Sequence, residues 1–124
     1  MSEALELVQR FCDAFGKGAS AQDLLDYFTP DAVYHNIPVD PVRGHDGILG
    51  MINMFLAPDS HIEFRVRNIA ADGDVVMTER VDVFELPGKT IELPVMGTFE
   101  VRHGKIAAWR DYFDLNQYMS QLQS

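Results

Sequence analysis

The apolar positions of this chain change period near its middle. Before about residue 56 they recur at helical spacing, and after residue 60 they alternate along extended runs. Ala4, Leu7, Val8, Phe11 and Phe15 form one helical stripe that Gly16 and Gly18 close. Ser20 with Asp23 makes a capping pair before Leu24, Leu25 and Phe28, so a second short helix follows and Pro30 ends it. Ala32 to Asn36 reads as a short extended stretch, and Pro38, Pro41 and Gly44 mark an irregular loop. Ile48, Met51, Ile52 and Phe55 predict a third amphipathic helix from about Asp46 to Leu56, stopped by Pro58.

Four long runs rich in Val, Ile, Phe and Thr then follow: His61 to Ala70, Val75 to Leu86, Thr90 to Arg102 and Ile106 to Leu115. Asp72-Gly73, Pro87-Gly88-Lys89 and His103-Gly104 punctuate them as turns, which predicts an antiparallel meander. The pattern is α+β: three helices from the first half, packed on one face of a strongly curved sheet. Alternation along the second run places Val75, Met77, Val81 and Val83 on one face and Thr78, Arg80, Asp82 and Phe84 on the other, which by itself puts Arg80 and Asp82 in water. The third run carries Leu93, Val95 and Phe99 on one face and Pro94 and Met96 on the other. Both sheet faces therefore look partly covered, one closing as a pocket and the other burying against a second copy in a homodimer.

At 124 residues this is one domain, 1–124, with 47% hydrophobic residues. A net charge of -9 disfavours nucleic acid and anionic membrane as partners and suits a neutral or apolar small ligand. The single cysteine, Cys12, lies in the first helical stripe and reads as core. No membrane-spanning run is expected, and the N-terminus lacks the basic start and apolar core of a signal peptide, so a cytoplasmic location is expected.

Candidate chemistry concentrates in two short segments. In Trp109-Arg110-Asp111-Tyr112-Phe113-Asp114, Trp109, Asp111 and Phe113 share a strand face, which places a carboxylate on an apolar surface. Such a group needs a partner, and Arg80-Val81-Asp82 offers one. Two carboxylates and one guanidinium carry a net charge of -1 when ionised. Binding one proton removes that charge and leaves an acid and a base at the same pH. Tyr34 and Asn36, on one face of the short extended stretch, would add a hydroxyl and an amide able to hold a water molecule. A water so held is a nucleophile for a neutral electrophile. The plainer alternatives are a solvent-facing Arg80–Asp82 pair and an Asp111 capped by backbone donors.

The remaining candidates are weaker. His35, His45, His61 and His103 lack metal-ligand spacing, so no metal site is expected. Gly44-His45-Asp46-Gly47 reads as a helix start and not as a phosphate loop. Met51, Met54, Met77 and Met96 read as core filling, with a lipophilic pocket wall as the alternative. No Ser-His-Asp or Cys-His-Asn context marks a covalent hydrolase.

Through Tyr34-His35-Asn36-Ile37-Pro38, Glu79-Arg80-Val81-Asp82 and Trp109 to Asp114, the chain resembles the limonene-1,2-epoxide hydrolase family of the NTF2-like (SnoaL-like) superfold. The likeness extends over nearly the whole chain, which is expected to start close to the first domain helix without the N-terminal extension of some relatives. It implies an NTF2-like cone on a mixed β-sheet. It also implies that Asp111 is a general base acting on a water held by Tyr34 and Asn36. Asp82 would be the general acid and Arg80 the bridge between the aspartates. The implied reaction is one-step opening of a small or medium lipophilic epoxide by water to a vicinal diol, without cofactor. On the same scaffold a ketosteroid-isomerase-like or polyketide-cyclase-like enzyme, or a non-catalytic lipophilic-ligand-binding module, is the alternative. A bridging cation fits a carbonyl pocket poorly, since that pocket needs an oxyanion donor.

Overall fold

The structure, a computed structural model, describes residues 2–56 and 59–124. The order is α1 (Glu3–Gly16), α2 (Ala21–Leu25), β1 (Phe28–Asn36), β2 (Val42–Arg43), α3 (Gly44–Phe55), β3 (His61–Asp72), β4 (Val75–Leu86), β5 (Lys89–Arg102), β6 (Lys105–Tyr112) and α4 (Leu115–Gln123). Ser2 and Ser20 cap the first two helices by accepting from the N–H groups of Leu5 and Asp23, at 2.9 and 3.1 Å. The α3 stop expected at Pro58 lies outside the described residues.

The six strands form one sheet in the order β2-β1-β6-β5-β4-β3. From β3 to β6 it is the expected antiparallel meander. The last turn, His103-Gly104, has both residues at positive φ, 53° and 75°, as a twisted two-residue hairpin requires. β1 joins β6 in parallel and makes the sheet mixed, and this pairing sets Tyr34 opposite Trp109 and Asn36 opposite Asp111. Register breaks in β1, β3 and β5 add local bends to a sheet that curls around the core. Helix α1 lays Leu7, Val8, Phe11, Cys12 and Phe15 into that concave face. Phe11 meets Trp109 edge-on at 5.1 Å, and Phe15 stacks on Phe64 at 4.2 Å. The α+β architecture is as expected.

Several details differ from the sequence reading. The second helix ends at Leu25 and β1 already begins at Phe28. Pro30 lies inside β1, in the gap of the β1–β6 ladder between Phe28 and Val33, where its missing N–H breaks no pairing. The loop after Asn36 contains the short strand β2, and α3 starts at Gly44, whose φ is 72°. Helix α4 was not anticipated: the last run stops at Tyr112 because Asp114 caps a new helix, accepting from the N–H groups of Asn116 and Gln117. Gln121 of α4 then pairs its side-chain amide with both backbone groups of Glu92, at 3.1 and 2.9 Å, where β6 has ended and the edge of β5 is open. Lys89 donates to the carbonyls of Gln121, Leu122 and Ser124 and holds the end of that helix. Among the described residues no helix is long and apolar enough to cross a membrane.

Candidate active site

The inward face of β4 is Val76, Thr78, Arg80, Asp82 and Phe84, all buried. The valines at 81 and 83 point the other way, and neither belongs to the main core cluster. The expectation that Arg80 and Asp82 face water is therefore wrong: the concave face is polar at mid-strand because an ion cluster sits there. Arg80 is 1% exposed, Asp82 4% and Asp111 2%.

One register position makes the cluster possible. Gly97 of β5 is paired with Thr78 on one side and Asp111 on the other. The guanidinium must cross β5 to reach Asp111, and it crosses at the residue without a side chain. A Cβ at Gly97 would stand 2.5 Å from Asp111 Oδ1 and against Arg80 Nη1. All five N–H donors of Arg80 are used. Nε and Nη2 donate to the two oxygens of Asp82, both at 2.9 Å. Nη2 and Nη1 donate to Asp111 Oδ2 and Oδ1 at 2.8 and 3.2 Å, and Nη1 also donates to Thr78 Oγ1 at 3.1 Å. The Phe64 ring lies 4.5 Å from the guanidinium carbon and adds a cation–π contact. Trp109 Nε1 donates to Asp111 Oδ1 at 2.7 Å.

Electrostatics follow from this packing. Burial pushes the Asp82 carboxyl up from an ordinary 3.8 to about 6, against the pull of Arg80. Burial opposes the charge on Arg80, but Asp111 and Asp82 together hold it well above the ordinary arginine range. Burial, with Asp111 adding to it, raises Tyr34 well above its ordinary range and keeps the hydroxyl neutral. Tyr34 is hydrogen-bonded to the Asn36 side chain and stacks on Trp109 at 3.9 Å with 5° between the rings. The five predicted residues thus converge: Arg80 and Asp82 from β4, Asp111 from β6, Tyr34 and Asn36 from β1.

Four of them, all but Arg80, floor a partly open cavity of about 230 Å³. Tyr34, Asn36, Asp82 and Asp111 line its polar end; its wall is almost entirely apolar and includes Phe84, Leu93 and Val95, with Tyr118 of α4 at the rim. Met51 and Met54 belong to this wall, which corrects the reading of Met54 as core, while Met51 also packs against the core. Met77 and Met96, 52% and 51% exposed, lie on the outer face of the sheet. Cys12 is core as read, and burial raises its thiol to about 12. His35 and His45 each place a ring nitrogen against a backbone carbonyl, of Val39 and Phe28. Among the described residues no three His, Cys, Asp or Glu side chains converge as a metal-binding group. Thr78, Gly97 and the indole N–H of Trp109 escaped the sequence reading, although a glycine inside a strand run is itself a signal of close approach.

Residues 2–124 match the family described as limonene-1,2-epoxide hydrolase catalytic domain. Epoxide hydrolase EphG of Mycobacterium tuberculosis is 34% identical over 85 residues, 68% of this chain; the match spans 56% of EphG, little more than half its length. A solved LEH-like epoxide hydrolase from M. tuberculosis superposes with a TM-score of 0.84 at 29% identity, covering 98% of this chain and 90% of that one. An NTF2-like protein of unknown function from Burkholderia pseudomallei superposes with a TM-score of 0.85 over 100% of both chains; at 16% identity that likeness speaks for the NTF2-like fold alone.

Proposed function

The chain belongs to the limonene-1,2-epoxide hydrolase family, and we propose that it adds water to a small or medium lipophilic epoxide to give a vicinal diol. The observation that carries this reading is the Arg80 fork spanning Asp82 and Asp111 on the floor of an apolar cavity. The cluster holds one negative charge more than positive, and burial favours a proton on Asp82. That leaves a carboxylic acid and a carboxylate facing the same space.

In the proposed step a water held by Asp111, Tyr34 and Asn36 attacks one ring carbon. Its proton passes to Asp111 as the new C–O bond forms. The opposite C–O bond breaks, and its oxygen takes the proton of Asp82, because an alkoxide leaves poorly near neutral pH. The cycle closes when Asp111 loses one proton and Asp82 regains one. No covalent enzyme intermediate and no cofactor enter this scheme. Pairing of two copies through the outer sheet face, where Met77, Met96 and Tyr112 are each about half exposed, belongs to the same proposal. A monomeric sedimentation profile at micromolar concentration would remove that part of it.

The experiment is diol formation from terpene, styrene-type, steroid and fatty-acid epoxides by wild type and Asp111→Asn side by side. Diol from wild type, with turnover lower by several orders of magnitude in the variant at unchanged fold, is the expected result, since an amide cannot take the water's proton. A variant retaining more than about a tenth of the activity would overturn the base assignment.

A further inference from the structure

The two oxygens of Asp111 are not equivalent. Oδ1 accepts from Arg80 Nη1 at 3.2 Å and from Trp109 Nε1 at 2.7 Å, which fills both of its in-plane acceptor sites. Among the described residues Oδ2 accepts from Arg80 Nη2 alone, at 2.8 Å, and keeps one site open. Gly97 lies beside Oδ1, with no side chain between them. The indole that makes the difference cannot swing away. Trp109 is fully buried, stacked on Tyr34 at 3.9 Å on one side, with Phe99 at 5.5 Å nearly parallel and Phe11 edge-on at 5.1 Å.

We propose that Trp109 is a positioning residue that saturates Oδ1, fixes the carboxylate plane and assigns Oδ2 as the oxygen that accepts the water's proton. An indole N–H is a donor only, so it favours the ionised carboxylate and has no second mode of contact. The other groups facing Asp111 are Arg80 and Asp82 from β4, Tyr34 from β1 and the Cys12 thiol from α1. Burial keeps Tyr34 and Cys12 neutral. The Arg80 fork reaches both oxygens of Asp111, closer at Oδ2, and the indole adds its donor to Oδ1.

The chain has a single tryptophan, which makes an atom-level test practical. Growth of a tryptophan auxotroph on benzothienylalanine replaces the indole N–H by sulfur and keeps the ring size, so the core stays filled. Two readouts are compared with wild type: kcat and KM on an epoxide substrate, and the carbon-13 chemical shift of the Asp111 carboxyl at one fixed pH, identified through Asp111→Asn. The expected result is a fall in kcat of about tenfold or more, a KM within about twofold, and a carboxyl signal moved from its wild-type position by the loss of one donor. A carboxyl signal and a kcat that both coincide with wild type would overturn the inference. The rate readout rests on the epoxide reading, but the carboxyl signal does not. A moved signal in a protein inactive on every epoxide would sustain Trp109 in this role and remove the epoxide reading.

Discussion

The two faces of the central sheet carry the same chemistry to opposite effect. On β6, Arg110 points outward and pairs with Glu100 at 2.6 Å, while its neighbour Asp111 points inward and meets Arg80 at 2.8 Å. The outer pair is the shorter one. Yet its side chains are 32% and 49% exposed, against 0% and 4% for the inner pair. Water competes for the outer pair and screens it, so its contribution is about 0–1 kcal/mol. If Arg80 is lost, two carboxylates face each other without a counter-ion. Distance says little about the worth of an ion pair here; burial and the number of donors decide it.

The sharpest way to test the contrast is Arg80→Ala. Stability should fall by about 3–5 kcal/mol and hydrolysis should be lost, read by urea unfolding and by diol formation. An equally stable, fully active variant would mean that the inner face is as solvated as the outer. Next in size is the pH dependence set by Asp82. The folded state binds its proton more tightly than the unfolded state, up from 3.8 to about 6, so between those values the native protein carries more protons and loses stability as pH rises. That window corresponds to about 3 kcal/mol. Asp82→Asn should flatten the slope relative to wild type, measured as unfolding free energy at a series of pH values. In wild type, turnover should fall as pH rises through about 6, because Asp82, the proposed acid, has then lost its proton. A variant with the same slope as wild type would place the titration elsewhere.

Much of this arrangement was legible in the sequence, and the misses share a cause. The meander was readable because its turns carry Gly, Asp and Pro between β-rich runs, and α1 because five apolar residues hold one stripe. The meeting of Arg80, Asp82 and Asp111 was readable from charge on an apolar face, aided by the family likeness. The facing of β4 was not, because alternation assumes that the apolar side points inward, and here the inward side carries Thr78, Arg80 and Asp82. Helix α4 has the right spacing in Leu115, Tyr118, Met119 and Leu122, but it buries no residue fully, so its signal is faint. Thr78 and Trp109 act through one oxygen and one N–H each, which no spacing rule reveals.

Gly97 was the missed residue with a readable signal, and it is the next test. Gly97→Ala puts a methyl 3.0 Å from Thr78 Oγ1 and closer still to Asp111 and Arg80. Overpacking of this kind costs about 1–3 kcal/mol, and it acts on the cluster itself. Activity should fall by at least about tenfold with a smaller loss of stability than Arg80→Ala. Unchanged kinetics would show that the guanidinium has another route across β5.

The smallest effect belongs to the outer face. Arg110→Ala removes a partner at 2.6 Å from Glu100, a shorter contact than either Arg80–aspartate ion pair, so a distance-based ranking would make it the most damaging change. Burial ranks it last. Glu100 is left half in water and regains its hydration, and the truncated arginine was already about one-third exposed. Unfolding free energy should change by no more than about 1 kcal/mol, the change should shrink as salt is added, and turnover should match wild type. If Arg110→Ala instead lowers activity as much as Gly97→Ala does, the neighbouring residue on β6 is steering Asp111 through the backbone. The two faces of the sheet would then act as one electrostatic unit and not as two.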